Sequence, residues 1–512
     1  MEENKNFTKN LFISFFIVFV FLIFWQMYVG KNMKNNKPTK VAHNTKVDST
    51  NKNTLKDTKN MAPTLSDRNS KMGMLDTLWN AQLLKLNGKN IEVNIAKSGT
   101  FYDLYLKHYK THLFDTTFAR YFFTGYKSYL FKDSALSLNL GSKVILYSTD
   151  SLEIKTFTFK EDSYLVDFSL QRMDTLPLFV EFDGGLFLNP SNIKEEKRIY
   201  SFVVKTKKGY KKYKISSLLK NPQDKKLPLD DVEFIGLKNK YFMFVVINNR
   251  NEKGTVRFGI RSHRPYFRIE SKDGKIDLLA YDGPIEYFLL KKIGYGLFAN
   301  YEFGGALIAP FSMAMLYILK FLHNFIPNWG WAIVVFALLM KIVFFPLTYK
   351  GLASMRKMQR LKPEIDKLQK IYKNDPQRLQ KEMMELYKKH NVNPFSGCLT
   401  LLIQLPIFWA LYRVLRMTID LRNSGFIFWI KDLSVKDPYY ILPILMGITS
   451  IIQSKLQQQG VQDNQTKLFT YFMPIFLVII FIPLPSGIVL YWFAYNLFSV
   501  FETLLIKRLE VS

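Results

Sequence analysis

The stretch "VVFALLMKIVFFPLTYK", residues 334–350, decides the class of fold. Most of its side chains suit the hydrocarbon core of a bilayer, yet Lys341 lies among them. An ammonium group near the bilayer centre costs about 2.5–3.5 kcal/mol on insertion scales, so such a lysine is a candidate functional residue. Lys341 is about nine residues, or about 13 Å, from the end of the apolar block. A lysine that only extends its side chain towards the headgroups is the alternative.

The composition indicates a membrane protein with a large soluble part. The 512 residues carry a formal net charge of +29, 48% are hydrophobic, and the mean hydropathy is −0.03. The average is near zero because apolar blocks alternate with polar segments. The single cysteine, Cys398, excludes an internal disulfide and a multi-cysteine metal site, and we expect no metal site. The positive charge suits anionic headgroups or nucleic acid, with a solvated lysine-rich surface as the alternative.

Six apolar blocks predict six membrane spans. The first, residues 11–29 within an anchor region 1–30, is long and lacks a following small-residue cleavage site, which favours an uncleaved anchor over a signal peptide. The other five blocks are residues 331–349, 399–415, 440–454, 468–482 and 487–505. Two of them, 440–454 and 468–482, are short for a full span. The sequence "IPLPSG" predicts a tight turn between the last two.

The region between the first two spans has three parts. Residues 31–75 are polar and predict a flexible linker. Residues 76–282 contain short β-branched and aromatic segments such as "KVILYST", "EIKTFTF" and "YLVDFSLQRM", which predict an antiparallel β-sandwich without catalytic residues. Residues 283–328 return to a helical period and predict amphipathic helices in the membrane interface, with Lys320 and His323 on the polar side. A transmembrane helix in this last part is the alternative.

The distribution of lysine and arginine predicts the orientation. The segment between the second and third spans, residues 351–397, carries a dense basic cluster and is therefore assigned to the cytoplasm. Both termini are then cytoplasmic and the β domain is extracytoplasmic. Four lysines directly after the first span favour the opposite orientation, but we let the larger cluster decide.

The same segment predicts a helical hairpin, because apolar residues recur at steps of three and four in two stretches. Asp375 is a suitable N-cap and Pro376 a suitable first residue of the second helix. The basic face of the hairpin suits lipid headgroups, ribosomal RNA or an acidic protein, with a solvated surface as the alternative. The predicted docking residues are Arg356, Lys357, Arg360, Lys388 and Lys389.

Other polar side chains accompany Lys341 in the spans. Gln404, Gln453 and Asn496 lie at mid-depth or towards the cytoplasmic side of their spans, whereas the outer halves are almost wholly apolar. A single polar residue in a span usually forms a hydrogen bond with a neighbouring helix and has no further role. Their shared depth predicts a wet groove, formed with Lys341, that opens to the cytoplasm and is closed on the other side.

Four runs in the last part of the chain resemble the YidC-type membrane protein insertases. Their most specific motifs are "FPLT", "NPFSGCLTLLIQLPIF" and "PLPSG". The resemblance implies a core of five transmembrane helices, residues 329–512, that helps newly synthesised proteins insert, fold and assemble in the inner membrane. It also implies that this activity needs no enzymatic chemistry and no cofactor. The anchor and the long β domain resemble the form found in bacteria with two membranes, which implies a periplasmic β domain.

The resemblance also implies roles for individual residues. The family pattern has arginine where this sequence has Lys341, which keeps the charge but lacks the guanidinium fork. The implied substrate path follows Pro406, Phe408 and Leu411 of the third span and Trp492 of the last. The implied partners are nascent membrane proteins, the ribosome, the Sec translocon and anionic lipid headgroups, with no DNA.

Two other classes of function are open from the residues alone. A secondary transporter of a small solute would need a site that opens alternately to both sides and usually an internal repeat, and we find neither in the sequence. A membrane-tethered binding protein would use the β domain as its active part.

Overall fold

The computed structural model describes residues 82–511 except for 88, 97–98, 115–119, 125–128, 132–142, 149, 161–162, 175–176, 190–192, 373–374, 391–395 and 458–463. The predicted anchor, residues 1–30, and the predicted linker, residues 31–75, lie outside the described residues. The described chain forms a β domain followed by a helical region.

The β domain contains two antiparallel sheets, as the sequence predicts. The strands are β1 (Gln82–Asn87), β2 (Ile91–Ala96), β3 (Phe101–Leu106), β4 (Thr111–His112), β5 (Arg120–Phe123), β6 (Tyr129–Phe131), β7 (Lys143–Ser148), β8 (Glu153–Phe159), β9 (Leu165–Arg172), β10 (Leu178–Asp183), β11 (Ser201–Thr206), β12 (Gly209–Lys214), β13 (Lys225–Pro228), β14 (Val232–Lys238), β15 (Phe242–Ile247), β16 (Thr255–Arg261), β17 (Arg264–Ser271) and β18 (Lys275–Pro284). One sheet has the order β1-β2-β3-β5-β10-β17-β16-β13, with β4 beside β3. The other has the order β12-β11-β14-β15-β18-β9-β8-β7-β6.

Aromatic rings from both sheets fill the space between them. The ring centroids of Phe122 on β5 and Phe157 on β8 are 5.2 Å apart, and so are those of Phe182 on β10 and Phe244 on β15. Each of these four rings is at most 1% exposed. Burying a phenylalanine side chain stabilises a fold by about 1.5–3 kcal/mol, so this aromatic layer holds the two sheets together as a sandwich.

A lysine lies within this aromatic core. Alternate residues of β8 face inwards, which places Lys155 beside Phe157 and Phe159. Its Nζ donates hydrogen bonds to the carbonyl oxygens of Gly99, at 3.2 Å, and Phe122, at 3.1 Å. Burial lowers the pKa of Lys155 to about 7. A substantial fraction of this amine is therefore neutral at physiological pH.

We expect the stability of the β domain to rise with pH above about 7, and we expect Lys155→Met to reduce that rise to the part due to Lys238, whose pKa burial lowers to about 8. The folded-state pKa lies below the usual value, so the unfolded chain binds the extra proton between about pH 7 and pH 10. The free energy of unfolding then rises with pH by up to about 1.4 kcal/mol per unit, and below that window the effect is constant. Thermal unfolding of the full chain in detergent, followed by near-ultraviolet circular dichroism, measures the slope.

The exposed lysine of β7 provides the matched control, Lys143→Met, which should keep the wild-type slope. If Lys155→Met and the wild type had the same slope, the buried amine would not be the titrating group.

Two short helices lie in the β domain and nine follow it in the described chain. They are α1 (Ile193–Ile199), α2 (Ile215–Leu218), α3 (Tyr287–Ile293), α4 (Ala309–Phe325), α5 (Trp329–Arg360), α6 (Lys362–Ile371), α7 (Pro376–Lys389), α8 (Ser396–Met417), α9 (Ile441–Gln457), α10 (Asn464–Phe481) and α11 (Ser486–Val511).

Helix α5 is longer than the predicted span. It continues through Pro346 and includes the start of the predicted hairpin, so that only α6 and α7 form the two arms. Proline is tolerated within membrane helices when neighbouring groups satisfy the freed backbone. The predicted N-cap of α7 is confirmed, because the Asp375 side chain accepts a hydrogen bond from the Arg378 N–H at 3.0 Å and Pro376 begins the helix.

Among the described residues, the stretches Trp329–Tyr349 and Ser486–Ile506 are long and apolar enough to cross a membrane. Ile441–Leu456 and Tyr471–Phe481 are shorter apolar helices. Helix α8 has 22 residues and contains Pro406. The predicted tight turn is confirmed, since α10 and α11 are separated only by residues 482–485.

Helix α4 presents an aromatic face to the outside and a polar face to the protein. Lys320 lies 2.8 Å from both Glu286 and Asp420, and the ring of His323 stacks on Trp329 with centroids 4.0 Å apart. Both predicted polar-side residues, Lys320 and His323, are half-buried and engage partners elsewhere in the chain. The exposed face carries Phe311, Phe321 and Phe325.

A partly buried charged contact joins the β domain to the end of α8. The Glu195 carboxylate on α1 lies 2.5 Å from Arg416 Nε and 3.1 Å from Lys240 Nζ. Burial opposes ionisation of Glu195, but the two cations outweigh it and lower its pKa. The hydroxyls of Tyr301 and Thr418, 3.1 Å apart, add a second contact nearby.

Candidate functional site

An ion pair connects α5 and α11 within the helical region. Lys341 Nζ lies 2.5 Å from Glu502 Oε2, and the two side chains are 8% and 13% exposed. The other carboxylate oxygen of Glu502 accepts a hydrogen bond from the Thr348 hydroxyl at 2.7 Å. Lys341 and Thr348 are seven residues apart, so two helical turns place them on the same face of α5. Both oxygens of Glu502 are thereby engaged by α5.

Tyr495 and Gln404 extend this arrangement to α8. Lys341 Nζ lies 4.8 Å from the centroid of the Tyr495 ring, and the Tyr495 hydroxyl donates to Gln404 Oε1 at 3.3 Å. Gln404 Nε2 is buried, and the Gln404 amide also interacts with the buried Tyr491 side chain. We call the five connected residues the polar cluster: Lys341, Thr348, Gln404, Tyr495 and Glu502.

The two remaining predicted groove residues lie at the contact of α9 with α11. Asn496 is buried and its Nδ2 donates to Ser450 Oγ at 2.6 Å. Gln453 is half-buried, three residues beyond Ser450 on α9. The structure thus brings Lys341 and Gln404 together and places Asn496 and Gln453 at a neighbouring helix contact.

The predicted path residues are partly assembled. Ring centroids of Phe408 and Trp492 are 5.1 Å apart, and Phe481 lies 5.8 Å from the first and 5.2 Å from the second. We call these three rings, on α8, α10 and α11, the aromatic seam. Leu411 is 1% exposed in the packed interior, whereas Pro406 is exposed.

A cavity of about 590 Å³ borders the ion pair between α5 and α11. Apolar side chains, including Phe345, Phe498 and Phe501, form most of its lining. Lys341, Glu502 and Arg508 are its charged members. The ion pair therefore forms a polar part of the otherwise mainly apolar cavity lining.

The predicted docking residues lie apart from the polar cluster. Lys357 and Arg360 are exposed at the end of α5 and Lys388 and Lys389 at the end of α7, and Arg356 on α5 is half-buried. In the described segments, no group of three or more His, Cys, Asp or Glu residues is placed to hold a metal ion.

Sequence reasoning missed Tyr495 and Glu502. Glu502 lies within the last apolar block, and a carboxylate in a span is expected to pair with another charge at membrane depth. Searching the spans for a charge opposite to Lys341 would have found it.

Comparison with known proteins gives the family. Residues 321–512 match the 60Kd inner membrane protein family. The "Membrane protein insertase YidC" of Wolinella succinogenes is 42% identical over 264 residues, which cover 52% of this chain and 47% of the relative. The protein of the same name from Helicobacter pylori strain J99 is 33% identical over 401 residues, covering 73% of this chain and 68% of the relative. The chain belongs to the YidC family of membrane protein insertases.

The extent of these matches differs between relatives of the YidC family. The chain spans about half the length of the Wolinella relative, and the Helicobacter match extends beyond the helical region into the β domain. A crystal structure titled as an active YidC insertase with the first transmembrane domain resolved is 18% identical, with a TM-score of 0.41, and the alignment covers 85% of this chain and 98% of that one.

Proposed function

We propose that this chain inserts newly made membrane proteins into the bilayer and that the polar cluster receives the polar flank of the incoming segment. The buried pair of Lys341 and Glu502 carries the proposal, because it lies in two helices that are otherwise apolar enough to span a membrane. Ionisable groups at membrane depth are costly and are a default indication of function. Membership of the insertase family supports the same conclusion.

The proposed mechanism involves no covalent step. A polar flank that crosses pure hydrocarbon leaves unsatisfied groups that cost several kcal/mol each. In the polar cluster, the ion pair, the hydroxyls of Thr348 and Tyr495 and the side-chain amide of Gln404 replace water as partners. The apolar part of the segment then enters lipid, and its burial, at about 25 cal/mol per Å², supplies the driving force.

The aromatic seam is the proposed exit path for the apolar part. Phe408, Phe481 and Trp492 come from three helices and are in mutual contact, so a passing segment can replace ring–ring contacts with contacts of its own. Pro406 is exposed two residues before Phe408 on α8, and Leu411, three residues after Phe408, is buried in the packed interior.

We further propose six spans in the inner membrane, formed by residues 11–29 and by α5, α8, α9, α10 and α11. The basic residues that follow α5 support a cytoplasmic hairpin and, with it, cytoplasmic termini and a periplasmic β domain. Helices α9 and α10 have short apolar stretches, which favour local thinning of the bilayer. The ribosome, the Sec translocon or anionic headgroups are the proposed partners of the exposed hairpin cations.

Reconstitution tests the function. Proteoliposomes that contain only this chain should protect a newly synthesised membrane segment from added protease well above protein-free liposomes. A matched leak assay with a trapped small solute separates insertion from transport. Protection equal to that of protein-free liposomes would contradict the insertase function, and solute flux would favour a transporter.

Site-specific photocrosslinking tests the exit path. A photoreactive residue in place of Phe408 or Trp492 should crosslink to a stalled nascent chain, because both rings belong to the aromatic seam. Phe325, exposed on α4, is the control position and should crosslink mainly to lipid. Equal nascent-chain crosslinking from all three positions would argue against a defined path.

A further inference from the structure

The chain itself already supplies a carboxylate to Lys341. We propose that Glu502 is a resident counter-ion that an acidic flank must displace from Lys341, and that this exchange sets the charge preference of the groove. The inference rests on the proposed insertase function and concerns which flanks the polar cluster accepts.

The contacts of the pair show what an incoming flank meets. Glu502 occupies one donor of the Lys341 ammonium at 2.5 Å, and the Tyr495 ring lies over it at 4.8 Å. The ammonium and the carboxylate neutralise each other, so the cluster attracts a distant acidic group only weakly. An acidic flank gains a strong contact with Lys341 only where it takes the place of Glu502.

The geometry permits this exchange. Lys341 and Glu502 belong to different helices, and a lysine presents single donors without the fork that would hold a carboxylate at two points. Thr348 binds the second oxygen of Glu502 at 2.7 Å, so a displaced carboxylate keeps a partner. The pair also borders the 590 Å³ cavity, which provides room beside it.

Displacement of Glu502 by the flank predicts that loss of the Glu502 charge has opposite effects on the insertion of acidic and basic flanks. An acidic flank competes with Glu502 for Lys341, whereas a basic flank can itself bind Glu502. Removing the Glu502 charge should therefore favour acidic flanks and disfavour basic ones. A counter-ion that only stabilises the helix contact would affect every flank alike.

The test uses the full chain in proteoliposomes and one apolar segment with three flanks that differ only in Asp, Asn or Lys. For Glu502→Gln, the ratio of the insertion rates of the Asp and Asn flanks should rise about fivefold, which corresponds to about 1 kcal/mol. The ratio of the insertion rates of the Lys and Asn flanks should fall. Glu233→Gln, which removes the carboxylate of an ion pair in the β domain, should keep both wild-type ratios.

Glu502→Asp covers the case in which Glu502→Gln does not fold. It keeps the charge but shortens the side chain by one methylene, which weakens the contact with Lys341, so the ratio for the Asp and Asn flanks should rise by less than in Glu502→Gln. Ratios that stay at wild-type values in the folded variants would overturn the exchange. A wild-type chain that inserts none of the three flanks would instead overturn the proposed function.

Discussion

Replacing Lys341 with glutamine is expected to slow insertion of segments with acidic flanks at least about tenfold, equivalent to about 1.4 kcal/mol. The amide offers hydrogen bonds but no charge, and the buried Glu502 then repels any incoming carboxylate. Lys341→Arg keeps the charge and should retain most of the activity. Initial insertion rates in proteoliposomes, with Asp and Asn flanks compared, measure the effect.

A stability control is needed for this variant. Removing one partner of a buried ion pair costs about 3–5 kcal/mol, because the remaining charge loses its compensation. The double variant Lys341→Gln with Glu502→Gln removes both charges and should recover stability without recovering the preference for acidic flanks. Equal insertion of acidic flanks by Lys341→Gln and Lys341→Arg would contradict a role for the charge.

The second large effect is expected at the contact between the β domain and α8. Glu195→Gln leaves Lys240, whose side chain is 1% exposed, and Arg416 without their carboxylate. We expect a loss of about 3 kcal/mol in the free energy of unfolding. Thermal unfolding of the full chain in detergent, together with proteolysis of the loops that join the β domain to the helices, measures the loss.

Glu233→Gln again provides the control. Its ion pair with Lys205 has side chains 42% and 28% exposed, and a pair of this kind contributes less than about 1 kcal/mol. If the two glutamine variants were equally stable, the contact through Glu195 would not hold the β domain against α8.

Local pattern predicted the strands better than their arrangement. The segments "KVILYST", "EIKTFTF" and "YLVDFSLQRM" correspond to β7, β8 and β9. They were recognisable because buried and exposed side chains alternate along a strand, which gives the sequence a hydrophobic period of two. The pairing of β13 with β16 and of β10 with β5 is not local, and no short segment specifies it. The burial of Lys155 was also not predicted, because a lysine in a strand is usually exposed.

Part of the candidate site was accessible from the sequence for a physical reason. Lys341 is conspicuous because a charge interrupts an apolar block, and the motif resemblance pointed to the same helix. Glu502 was not anticipated, because its partner lies 161 residues away and only the packing of α5 against α11 joins them. The length of α5 was underestimated for a related reason: good helix formers continue the helix beyond its apolar part.

Water access to the polar cluster is the most direct test of the account. In a Cys398→Ser background, single cysteines replace Thr348 or Gln404 in the cluster and Val334 near the start of α5, and a membrane-impermeant maleimide is added from each side. We predict labelling of the first two positions from the cytoplasmic side alone and no labelling of the third from either side. No labelling of the cluster, or labelling of all three positions from both sides, would contradict a groove that is wet inside and closed outside.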